Sequence, residues 1–70
     1  MMNELQHDIQ YVIDSLDTPE ARYAFDRWRF VVRRINAALG YDISAGLSFD
    51  NMERFISQMR TRLEKVLDDL

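Results

Sequence analysis

The sequence predicts an all-α protein of three helices, over about residues 3–16, 19–39 and 49–69 of its 70 residues. Two observations carry this. Apolar residues recur at alternating spacings of three and four in each segment, and no segment alternates with period two as a strand does. The only proline, Pro19, and the two glycines, Gly40 and Gly46, fall between or at the edges of these segments.

Residues 1–70 make one small helical domain. A chain of this length buries only about 60% of its unfolded surface, so its core needs reinforcement. There is no cysteine and one histidine, which removes disulfides, thiolate metal sites and an imidazole cluster. Oligomerisation remains, and a 47% hydrophobic composition can supply an interface.

In the first helix Leu5, Ile9, Val12, Ile13 and Leu16 form one stripe, with Asn3 as N-cap. Asp17-Thr18-Pro19 stops it and starts the next, with Thr18 as N-cap and Pro19 in the first turn. The connection is short, so these two helices are expected to pack antiparallel. The second helix carries Ala21, Ala24, Phe25, Trp28, Val31, Val32, Ile35, Ala38 and Leu39 on one stripe. Gly40 ends it as a left-handed C′ residue, and Tyr41 can fold back on its last turn. Ile43 and Leu47 are expected to tuck the following loop onto the core.

Ser48 reads as N-cap of the third helix, with Leu47 and Met52 as a hydrophobic staple. From there Phe49, Met52, Ile56, Met59, Leu63, Val66 and Leu70 form a heptad seam, widened by Phe55 and Leu67. The second and third helices would each run about 30 Å at 1.5 Å per residue. The first is too short to cover both. The expectation is a long antiparallel hairpin with a shorter N-terminal helix, closed as a dimeric helical bundle. Its dimer or core seam would be Trp28, Ile35, Met52, Ile56, Met59, Leu63 and Val66. A self-contained three-helix monomer is the alternative.

Charge is unevenly spread. Residues 1–18 hold four acids and no lysine or arginine, residues 19–39 carry net +3, and residues 40–70 carry net −2. The first helix should therefore attract the second, weakly. Around the second helix, Tyr23, Phe30 and Ala37 fall opposite the apolar stripe, among Arg22, Arg27, Arg29, Arg33 and Arg34. Aromatics and arginine are enriched at interface hot spots. This face is therefore the candidate partner site, packing of Tyr23 and Phe30 within the fold or dimer being the alternative.

No nucleophile–base arrangement, glycine-rich phosphate loop or calcium-loop spacing is present, so neither enzymatic activity nor a cofactor is expected. His7 lies on the polar side of the first helix. No stretch reaches the roughly 18 apolar residues of a membrane span, and no secretory leader is visible. A cytoplasmic protein is expected. Asp14-Ser15-Leu16 is similar to the Asp-Ser-Leu of acyl carrier proteins, and Glu20, Leu39-Gly40, Leu47, Phe49 and Asp50 look like the second half of such a domain. The resemblance implies a phosphopantetheine arm on Ser15. Only 14 residues precede Ser15, where a carrier has a first helix and a long loop.

The reading is a small non-enzymatic protein–protein interaction module, a regulator, adaptor or inhibitor, acting as a homodimer. One alternative is nucleic-acid binding through the arginine face, against which stands a sequence pI of about 4.9. Another is a structural subunit whose seam a different chain completes.

Overall fold

Asn3 opens the first helix, α1 (Glu4–Leu16), with a reciprocal cap. The Gln6 N–H donates to Asn3 Oδ1 at 2.8 Å, and the Asn3 N–H donates to Gln6 Oε1 at 2.9 Å. The computed structural model describes residues 3–19, 25–48 and 50–70, without the side chains of Phe25 and Asp26. Two further helices follow, α2 (Phe25–Leu39) and α3 (Met52–Asp69), and the described residues contain no strand. None of these helices is long and apolar enough to cross a membrane.

The end of α1 is closed by Thr18, whose hydroxyl donates to the Ser15 carbonyl at 2.8 Å. The expected start of the second helix, at residues 19–24, falls largely outside the described residues, as do Arg22, Tyr23 and Phe49. At the other end of α2 the Gly40 N–H donates to the Asn36 carbonyl at 2.9 Å, and Gly40 has φ of 79°. That is the left-handed C′ termination expected of glycine. Tyr41 does not fold back on the last turn; it is 55% exposed.

The third helix starts three residues later than expected. Its N-cap is Asn51, whose Oδ1 accepts from the Arg54 N–H at 3.1 Å. Ser48 instead accepts from the Asp50 N–H at 3.3 Å, forming a turn before the helix. Asparagine and serine cap about equally well, so the local sequence does not choose between them. With Asn51 as cap, Leu47 no longer stands at the staple position, although it is buried in the core.

The larger correction concerns which helices pair. Both α2 and α3 pack along α1, while among the described residues α2 and α3 make no close backbone approach to each other. The long α2–α3 hairpin is therefore not formed, and the short N-terminal helix is the central one. The reason lies in its stripe: Ile9, Val12, Ile13 and Leu16 are all buried, and Ile9 and Val12 have no exposed surface. The thirteen residues of α1 face the eighteen of α3, so α1 covers more of that neighbour than the expected lengths allowed. The pair Asp8–Arg34, at 2.9 Å, ties the front half of α1 to the back half of α2, so these two run antiparallel as expected.

The core is Ile9, Val12, Ile13 and Leu16 from α1, Trp28, Val31 and Ile35 from α2, Ile43 and Leu47 from the loop, and Phe55, Met59, Leu63 and Val66 from α3. Thus five seam residues, Trp28, Ile35, Met59, Leu63 and Val66, are consumed within the chain. Met52 and Ile56 lie half-buried at its edge. The radius of gyration, 11.4 Å, is close to the roughly 11 Å expected of a closed domain of this length.

Ile9→Ala removes a fully buried side chain from the shared helix and should cost about 2–5 kcal/mol. Thermal unfolding followed by circular dichroism should show a melting point lower by at least about 10 °C. Gly40→Ala meets no atom within 4 Å, so its cost is purely that of the backbone conformation. It should destabilise by about 1–2 kcal/mol, and Gly40→Asn by less.

Candidate functional site

The outward face of α2 is built by helical periodicity. Arg27, Phe30, Arg33 and Arg34 are three, six and seven residues apart from the first, which sets them on one side of the helix. Trp28 and Ile35 occupy the opposite side and are buried against α1 and the loop. Burying that side fixes the rotation of α2, and the same rotation turns Phe30 outward. Phe30 is 69% exposed, and Arg27, Arg29, Arg33, Arg34 and Ala37 are exposed with it. Self-packing of Phe30, the alternative reading, does not occur within the chain.

The arginines are not equivalent. Arg34 is engaged by Asp8, among the described residues the one acid of α1 that reaches this helix with an ion pair. Arg27, Arg29 and Arg33 make no ion pair among the described residues. Arg29 lies about 100° around the helix from Phe30, toward α3.

There it borders the second feature, a cavity of about 200 Å³ between α2 and α3. Among the described residues its floor is Val12, Trp28, Phe55 and Met59, and its mouth is Arg29, Val32 and Ser44. It exists because both helices lean on α1 and not on each other.

The third feature is the loop that bounds this cavity. Asn36 on α2 accepts the Ile43 N–H at 2.8 Å and donates to Asp42 Oδ1 at 3.1 Å. The same Asp42 oxygen accepts the Ser44 hydroxyl at 2.7 Å and the Ser44 N–H at 2.9 Å. From α3, Arg62 donates to the carbonyls of Ile43 at 2.9 Å and Ala45 at 2.6 Å. The sequence places Arg62 on the solvated back of the third helix. It is instead half-buried, since a guanidinium is long and flat enough to bridge two carbonyls. Asp42-Ile43-Ser44 did carry a readable turn signal, an aspartate two residues before an amide it can accept from. Nothing in the sequence announced the reach of Arg62.

The Ser44 hydroxyl, then the Ser44 N–H, hold the Asp42 carboxyl below its ordinary value, with Asn36 and the Arg62 charge adding to this. No three histidine, cysteine or acidic side chains among the described residues gather where a metal could sit. Ser15 lies in the last turn of α1 and donates its hydroxyl to the Tyr11 carbonyl at 2.8 Å. Comparison with protein-family models, with curated proteins and with solved structures finds no match.

The depressed Asp42 value fixes a sign. Its stabilising effect is fully present above the ordinary carboxylate value and is lost as pH falls through the folded one. Wild type should therefore exceed Asp42→Asn in stability at neutral pH, and the gap should close on acidification. Urea unfolding at a series of pH values down to about 2 measures it.

Proposed function

We propose that this chain is a non-enzymatic protein-binding module, a regulator, adaptor or inhibitor, that docks the outer face of α2 on another protein. The observation that carries the reading is Phe30, 69% exposed in the middle of an arginine-rich helix face. An exposed phenylalanine on a helix whose inner stripe is already buried adds nothing to folding. Placed in a partner's pocket, it would be a desolvated aromatic anchor, and arginines around it are the commonest companions of such anchors. Arg27 and Arg33, free of ion pairs among the described residues, favour a partner with an acidic rim around an apolar recess.

A homodimer enters this reading in one form. With five of the seven seam residues buried inside the chain, the Phe30 face is the surface a second copy would use. Nucleic acid is the less favoured occupant, because the chain carries net charge −3.

Phe30→Asp should leave helicity and melting point unchanged, because the side chain is exposed, and should weaken partner binding by about thirty-fold or more. Affinity capture with wild type and variant side by side, followed by sedimentation with the captured protein, reads this out. Equal capture by both would overturn the reading. Nuclease-sensitive capture would transfer the face to nucleic acid, and a mass doubling lost in Phe30→Asp would assign it to a second copy.

A further inference from the structure

We infer that the cavity between α2 and α3 is a binding site for a small aromatic carboxylate. Its floor, Val12, Trp28, Phe55 and Met59, offers carbon, two aromatic rings and a thioether, and no charge. Rings and methionine sulfur contact a bound ring favourably at its face or edge. Size sets the limit: an apolar cavity of about 150 Å³ takes up benzene. The roughly 200 Å³ here admits one ring with a short polar extension.

The mouth decides the polar end. The Ser44 hydroxyl already donates to Asp42, so it has no proton for a ligand. Val32 offers only carbon. Among the described residues of the mouth, the side-chain donor that remains is the Arg29 guanidinium, exposed and without an ion pair among the described residues. A planar fork of N–H groups beside an apolar slot selects a carboxylate, which it can hold with two parallel hydrogen bonds. A cation in the same position would be repelled.

Two other clefts lack this combination. Beside Tyr41, Arg62 is committed to the loop carbonyls, and Asp69 offsets Lys65. At the start of α1, Arg34 is already engaged by Asp8.

Trp28 is the only tryptophan of the chain and forms part of the floor, so its fluorescence reports occupancy directly. The probes are phenylacetate, neutral 2-phenylethanol and cationic 2-phenylethylamine. Phenylacetate should give a saturable change in Trp28 emission, 2-phenylethanol a weaker one, and 2-phenylethylamine none. Arg29→Gln should weaken phenylacetate about ten-fold and bring it level with 2-phenylethanol. Val32→Phe, which places a ring of the chain in the mouth, should abolish the response to both. The inference is overturned by no saturable change up to about 10 mM phenylacetate. Equal affinity for the anion and the alcohol in the wild type would overturn it too. So would a phenylacetate affinity unchanged in Arg29→Gln, whose exposed side chain can be replaced without touching the core.

Discussion

The burial of one thirteen-residue stripe decides nearly everything else in this fold. Ile9, Val12, Ile13 and Leu16 leave water only if something covers them on two sides, and α2 and α3 do so. Each outer helix is thereby rotated so that its own stripe faces inward. The exposed Phe30 face and the cavity are both by-products of that rotation. One is the side of α2 farthest from α1, and the other is the gap left where two helices share a third. A chain this short has few alternatives, since its core comprises little more than a dozen side chains among the described residues.

Electrostatics refines this arrangement without driving it. Among the described residues no charged side chain is buried. Both inter-helix ion pairs are exposed to a degree that makes each worth at most about 1 kcal/mol. Yet both tie α1 and its cap to a neighbour: Asp8 meets Arg34 of α2, and Asp17 meets Arg60 of α3. The acidic first segment works as a register mark for two basic partners. It also divides the arginines of α2 into one that is spoken for, two beside Phe30 and one at the cavity mouth.

Helix number, type and most of the burial were legible because they follow from periodicity, which acts locally. Every α1 stripe residue except half-buried Leu5 is buried, Ile43 and Leu47 tuck in as read, and Gly40 ends α2 as its lack of a side chain predicts. The pairing of helices was not legible. Three amphipathic helices can be assembled in more than one order, and stripe width alone does not say which one sits in the middle. Length misled here: Asn51 shortens α3 from the front, an outcome that turns on two near-equivalent caps. At the candidate site, the exposure of Phe30 could be anticipated from its angle to Trp28. The cavity could not, because it is a property of the space between helices. The Arg62 bridge was hidden for a related reason, since a long side chain at the edge of a polar face can swing toward either side.

The loop between α2 and α3 is fastened from both helices, and the two fastenings meet at Ile43. Asn36 holds the amide of Ile43, and Arg62 holds the carbonyls of Ile43 and Ala45. It therefore works as a spacer of set length, and the gap across the cavity is gauged by peptide geometry. The dimension most easily tuned in such an architecture is the count of residues in that spacer. Adding or removing one would resize the gap while every helix kept its stripe, its caps and its place against α1.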